Sequence, residues 1–260
     1  MSATAMKHGD FTGLAGDYVR FRPGYSESVL TALLSLIGKP IGQIDVVDVG
    51  AGTGIWTAML AARGCRSVVA VEPNEDMREQ GAEVNRAARI EWRNGSGEQT
   101  GLAAQSADLL SMASSFHWVD FDRGTREFAR VLRPGGRFVA LWNPRLLEAN
   151  PLLAETEAHL RVLCPELKRV SSGRSGITEK ITELLVAHPD FNDVVYLEGR
   201  HIREQTVEEY IGTWRSVNDV QFQLGPKKFA EFLEYVRKRL RDVPTVQTTY
   251  LTRAWTAMRR

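Results

Sequence analysis

The run Val46-Val47-Asp48-Val49-Gly50-Ala51-Gly52-Thr53-Gly54-Ile55 constrains this chain more than any other segment. An apolar stretch that ends in an acid and passes into three alternating glycines reads as a buried parallel strand turning into a helix. The glycines have separate duties. One permits a tight turn, and the others remove side chains so that backbone N–H groups can approach a ligand. Such a turn suits a nucleoside-like molecule.

The spacing Gly50-x-Gly52-x-Gly54, with Asp48 two residues ahead, differs from the Gly-x-Gly-x-x-Gly of dinucleotide folds. A second apolar segment, Ser67 to Val71, ends at Glu72-Pro73-Asn74 and sets an acid where it can accept both hydroxyls of a ribose. Strand-like segments at 45–49, 67–72, 89–93, 107–112 and 135–142 alternate with helical ones at 54–63, 74–87 and 120–132. This is the pattern of a parallel sheet covered by helices. An amphipathic helix precedes it at Tyr25 to Ile37, with Val29, Leu30, Leu33, Leu34 and Ile37 on one side. The expected fold is α/β, a Rossmann-like seven-stranded, mostly parallel sheet with helices on both faces. Strand-like sequence returns near 193–203 and 245–258, with helices between.

The layout suggests a single domain over 1–260. Residues 1–38 supply an N-terminal lid and first helix, 45–143 the ligand-binding core, 144–190 a helical insertion, and 191–260 the closing strands and helices. The insertion contains the loop Ser171-Ser172-Gly173-Arg174-Ser175-Gly176.

Downstream, Ala107-Asp108-Leu109-Leu110-Ser111-Met112 leads into Ser114-Ser115-Phe116-His117-Trp118, and Arg130-Val131-Leu132-Arg133-Pro134-Gly135-Gly136 opens a further strand. With the glycine loop and Glu72, these segments resemble the class I S-adenosylmethionine-dependent methyltransferases, and the resemblance implies that the strands at 193–203 and 245–258 form an antiparallel hairpin at the sheet edge. The leader Phe11 to Tyr25, with its Arg22-Pro23, is similar to small-molecule members such as trans-aconitate methyltransferase and antibiotic-tailoring N-methyltransferases.

The resemblance implies that Asp48, Gly50, Ala51, Gly52 and Gly54 form the loop under S-adenosylmethionine, and that Glu72, followed by Pro73, binds the ribose. Asp48 either organises the loop or contacts the cofactor. Ser96, Gly97 and Glu98 would border the adenine, although Gly97 stands where many relatives carry alanine. Arg22 would pair with the methionine carboxylate. Tyr18 would contact that carboxylate or the acceptor, in a leader whose simpler reading is a hydrophobic staple of the first helix. Ser115 and Phe116 would reach the cofactor, while Phe116, His117, Trp118, Tyr18 and Trp142 would meet the acceptor. His117 and Tyr18 are the catalytic candidates. An imidazole suits proton removal near neutral pH, but a lone histidine also serves as a structural hydrogen bonder, and an already neutral amine needs no base. Arg145, Trp214 and Arg215 are further candidates for selecting an acid, a phenol or an amine.

Composition narrows the partners. The formal net charge of +1 argues against a broad nucleic-acid surface, and the Asn/Asp-Pro-Pro-aromatic turn of nucleic-acid amino methyltransferases is replaced by Ser115-Phe116-His117-Trp118. A small-molecule methyl acceptor is expected. Cys65 and Cys164 have no metal-ligand spacing, and no metal is implied. No apolar run reaches the roughly 18 residues of a membrane span. Residues 1–10 lack a secretory core, so the expected location is cytoplasmic. Two rival readings stay open: a non-catalytic S-adenosylmethionine-binding protein and a nicotinamide-dependent oxidoreductase. An exposed edge pair is compatible with a homodimer.

Overall fold

A computed structural model describes residues 15–168 and 176–260, without the side chains of Ala15, Asp17 and Tyr18. Residues Phe11 to Leu14 of the leader, and the serine-rich loop as far as Ser175, lie outside the described residues. In chain order the elements are α1 (Ala15–Phe21), α2 (Glu27–Ser35), β1 (Asp45–Val49), α3 (Ile55–Ala62), β2 (Ser67–Val71), α4 (Glu75–Val84), β3 (Glu91–Arg93) and β4 (Ala107–Ala113). They continue with α5 (Phe121–Val131), β5 (Leu132–Trp142), α6 (Pro151–Leu163), α7 (Ile181–Val186), β6 (Phe191–Gln205), α8 (Val207–Arg215), α9 (Asn218–Leu240) and β7 (Val246–Arg259).

The strands form one seven-stranded sheet in the order β3-β2-β1-β4-β5-β7-β6. Strands β1 to β5 pair in parallel, and β7 joins β5 antiparallel. Every residue of β1 is buried because parallel neighbours flank it and apolar layers cover both faces. Alternation divides its valines. Val46 joins Leu30, Leu33, Trp56 and Leu109 in one layer, and Val47 and Val49 join Leu110, Phe128 and Phe138 in the other. The order reverses between β1 and β4, the point at which open α/β sheets bind ligands beyond the strands' carboxyl ends.

The described residues cluster into two compact units. One contains Gly24–Pro144, Ser172–His201 and Leu251–Arg260, and the other the described parts of Met1–Pro23, Arg145–Ser171 and Ile202–Tyr250. The segment expected as one insertion at 144–190 is thus shared between them. The second unit has its own core, in which Leu153 and Leu160 of α6, Tyr210, Ile211 and Trp214 of α8, and Phe232, Val236 and Leu240 of α9 pack together. Helix α8 opens on a capping box between Thr206 and Glu209. Helix α9 breaks at Gly225, whose φ of 68° no other residue type adopts easily, and resumes at Pro226. Among the described residues no helix is long and apolar enough to cross a membrane.

An ion-pair network ties the amino ends of β1 and β4. Asp45 accepts from Arg66 and Ser67 and pairs with Arg133, while Asp108 accepts from Lys39 at 2.7 Å and from the Asp45 N–H at 2.9 Å. Arg133 spans both, reaching Asp108 at 3.0 Å. The Arg66 guanidinium, helped by Ser67 and Arg133, outweighs burial and holds the Asp45 carboxyl far below the usual carboxylate range. Burial alone would raise Asp108, but the Asp45 N–H, Lys39 and Arg133 keep it low.

Carboxylates whose pKa is depressed by folding stabilise above their ordinary value of about 4, and lose that contribution as pH falls through the folded value. Replacing Arg133 with Met should therefore cost about 2 kcal/mol in urea unfolding at pH 7. The difference from wild type should shrink below about pH 4.

Candidate functional site

The glycine loop is closed by its own backbone and by the end of β2. The N–H groups of Gly50 and Ala51 donate to the Val71 carbonyl at 2.8 and 3.2 Å, and Gly54 N–H donates to the Ala51 carbonyl at 2.9 Å. All three glycines have left-handed φ, at 65°, 58° and 81°. Their surroundings differ. A Cβ on Gly50 would fall 2.7 Å from the Ser115 side chain, and one on Gly54 would fall 2.9 Å from Asn85 and Trp92. Among the described residues, a Cβ on Gly52 would meet only the Met77 methyl at 3.6 Å.

Glu72 fastens this loop. Its Oε2 accepts from Gly52 N–H at 2.7 Å and its Oε1 from Asn74 N–H at 2.9 Å. The acid is 7% exposed. Burial raises its pKa against the opposing effects of the two N–H groups and of Arg78. Pro73 is exposed, and Asn74 caps α4 by accepting from Met77 N–H.

Asp48 lies below the loop at 1% exposure. Register sets it beside Ser111 of β4, whose Oγ donates to Oδ1 at 2.9 Å, and Thr57 of α3 donates to Oδ2 at 2.5 Å. Burial pushes its carboxyl up to about 7, against the two hydroxyl donors and with the Glu72 charge adding. Both oxygens are engaged inside the protein, the geometry of a loop organiser.

After β3, Ser96 and Gln99 close a turn through two backbone bonds. Gly97 packs so tightly that an added Cβ would lie 2.5 Å from a Val119 methyl, a physical reason for glycine in place of alanine here. Glu98 accepts from Asp120 N–H at 2.9 Å, just ahead of α5.

After β4 the chain turns through Ser114, with φ 56°, into a short 3-10 turn over Phe116–Trp118. Ser115 Oγ donates to the Val49 carbonyl at 3.0 Å, joining this turn to the glycine loop. Phe116 and Trp142, expected at the ligand, are each 1% exposed. Phe116 packs against Phe121, Phe128 and Phe138, and Trp142 edge-on against Trp255. Their ring partners on the sheet, Phe138 and Trp255, are themselves buried. Trp118 is 43% exposed beside His117, and His117 Nδ1 accepts from Trp142 Nε1 at 3.3 Å.

The loop, Asp48, Glu72, Ser115 and His117 therefore gather within one unit, at the carboxyl ends of β1, β2 and β4. Arg22 belongs to the other unit, where its Nη2 donates to the Ser216 carbonyl at 2.9 Å. Arg145, Trp214 and Arg215 are in that unit too. The Arg145 guanidinium stacks 4.0 Å over the Trp214 ring and pairs with Glu157 at 3.3 Å. The side chain of Tyr18 is outside the described residues. Sequence reasoning missed Tyr25, whose hydroxyl bonds Ser114 Oγ at 3.1 Å and whose ring meets Trp56 at 5.3 Å. It also missed Thr57 and Ser111 as the partners of Asp48. The Tyr25 signal was its place at the end of the Arg-Pro-Gly-Tyr run.

Gly50→Ala should cost about 2–3 kcal/mol, from left-handed strain and the clash with Ser115, whereas Gly52→Ala should cost about 1 kcal/mol. Chemical denaturation measures both. Asp48 holds a proton when folded up to about pH 7 and releases it near 4 when unfolded. Wild-type stability should accordingly fall between pH 5 and 7 relative to Asp48→Asn, by roughly 1 kcal/mol per pH unit.

Residues 47–140 match the family described as a methyltransferase domain. An uncharacterized methyltransferase of Mycobacterium tuberculosis is 40% identical over 137 residues, and the chain spans about half the length of that relative, 52%. A ubiquinone/menaquinone biosynthesis C-methyltransferase of Rubrivivax gelatinosus is 38% identical over 106 residues, covering 40% of this chain and 41% of that one. In fold, the chain resembles the solved structure of a protein described as a type II methyltransferase from Anaeromyxobacter dehalogenans, with a TM-score of 0.65 at 22% identity over 91% of this chain and 97% of that one. With its glycine loop on β1 and its strand order, the chain has a Rossmann-like sheet of the kind seen in that solved structure, and its residues 47–140 match a methyltransferase domain.

Proposed function

We propose that the protein binds S-adenosylmethionine on the Gly50–Gly54 loop and transfers a methyl group to an oxygen or nitrogen of a small organic metabolite. The observation that carries the cofactor reading is the 2.7 Å hydrogen bond from Gly52 N–H to Glu72. Each oxygen of this carboxylate takes one backbone N–H and keeps a further lone pair. The acid can therefore accept a ribose diol without releasing the loop. Gly52 supports the same reading, because apart from its φ no neighbour among the described residues demands a glycine there, and a close-approaching ligand accounts for the missing side chain.

When bound, the cofactor would supply a sulfonium-activated methyl for in-line attack by an acceptor's lone pair, with the neutral thioether as the leaving group. The protein has chiefly to align the two and exclude water, a contribution of several kcal/mol. Glu72 and the loop fix the nucleoside, Ser96 to Glu98 border the base, and the exposed face of Trp118 offers an aromatic surface suited to a sulfonium. Near-neutral charge and the missing Asn/Asp-Pro-Pro-aromatic turn favour a small acceptor, and the composition suits the cytoplasm. Similarity to a relative named as a C-methyltransferase adds carbon nucleophiles as a second acceptor class.

Calorimetric titration of the full chain tests the cofactor reading. S-adenosylmethionine and S-adenosylhomocysteine should bind, and NAD should not. Glu72→Ala should weaken binding about a hundredfold, equivalent to roughly 3 kcal/mol. Gly52→Val should abolish it in a protein that still folds. A folded wild type that binds neither sulfur nucleoside would overturn the reading.

A further inference from the structure

His117 and Trp142 meet beyond the carboxyl ends of β4 and β5, with indole Nε1 3.3 Å from imidazole Nδ1. An indole nitrogen is a donor only, so the polarity of this bond is fixed by chemistry: Nδ1 must present its lone pair. A neutral imidazole carries one ring proton, and here that proton belongs on Nε2. A second proton on Nδ1 would set donor against donor.

The indole has little freedom to turn away. Trp142 is buried in β5, in register with Arg253 of β7, and meets the Trp255 ring edge-on at 5.8 Å. Trp255 is itself held by an Nε1 bond to Thr182 Oγ1 at 3.0 Å. His117 stands two residues after Ser115, the residue that joins the β4 turn to the glycine loop. His117 therefore follows β4, one of the two strands that flank the reversal of strand order at which a ligand of this fold binds, and Trp142 ends the neighbouring β5.

We propose that Trp142 is a positioning residue that locks His117 in the Nε2–H tautomer, leaving the ring a hydrogen-bond donor without the lone pair a general base needs. The bearing on methyl transfer rests on the function proposed above, whereas the tautomer stands on the hydrogen bond alone. With His117 held in this way, the site favours an acceptor that needs no proton removed by this ring before attack. A neutral amine, a phenolate or an enolate qualifies.

Long-range proton–nitrogen correlation on full-length protein labelled at its imidazole nitrogens reads the tautomer directly. The chain has five histidines, and the His117 signals are assigned by their disappearance in His117→Gln. At pH 7.5 the expected result is one tautomer, with a protonated Nε2 and a bare Nδ1. Trp142→Phe should turn this into a mixture while far-UV dichroism stays unchanged. A proton on Nδ1 in the wild type, alone or with one on Nε2, would overturn the proposal. So would an unaltered His117 pattern in folded Trp142→Phe. If that variant does not fold, the wild-type spectrum alone decides. Failure to bind S-adenosylmethionine would sink the methyltransferase reading and leave the tautomer standing.

Discussion

The backbone bonds between the glycine loop and the end of β2 are the constraint on which the rest of the site depends. Val71 offers one carbonyl to two successive N–H groups, and Glu72, the next residue, takes a third from Gly52. Three glycines in left-handed conformation allow the chain to turn this tightly beside the sheet. Once the loop is fixed, Ser115 can reach the Val49 carbonyl and the β4 turn takes its position. His117 follows two residues later and accepts from Trp142 Nε1.

Electrostatics under the loop follow from burial. Asp48 and Glu72 both sit in low-dielectric surroundings that raise their pKa values, yet their partners differ. Asp48 is held by two hydroxyls, which can also donate to or accept from a protonated carboxyl. Glu72 is held by two backbone N–H groups, which can only donate and so favour its charged form. One acid is thereby suited to a structural role inside the sheet, and the other to an ionic or diol contact at its rim. At the opposite end of the strands, Asp45 and Asp108 face arginine and lysine and stay charged.

Much of the sheet was legible in the sequence because its strands are short apolar runs bounded by acids, glycines and prolines. The expected strands at 45–49 and 107–112 correspond to β1 and β4, and the Arg-Pro-Gly-Gly entry leads into β5. The tight packing of Gly97 against Val119 was not legible, since it depends on two segments brought together by the sheet. Neither was the hydrogen bond between His117 and Trp142, which are 25 residues apart on different strands' ends. Aromatic residues were ambiguous for a related reason. Phe116 and Trp118 are two residues apart, yet a 3-10 turn directs one into the core and leaves the other exposed.

By itself the sequence determined the α/β alternation, the glycine turn and the acid at the end of the second strand, because local periodicity and backbone freedom are written in adjacent residues. Only the tertiary structure decided that Glu72 fastens Gly52, that Asp48 turns inward to Thr57 and Ser111, and that Trp142 addresses His117. It also decided that Arg22 and Arg145 belong to a second compact unit. Those outcomes depend on register and on which residues the sheet brings side by side, and a hydrogen bond or a buried charge is defined by its neighbours in space.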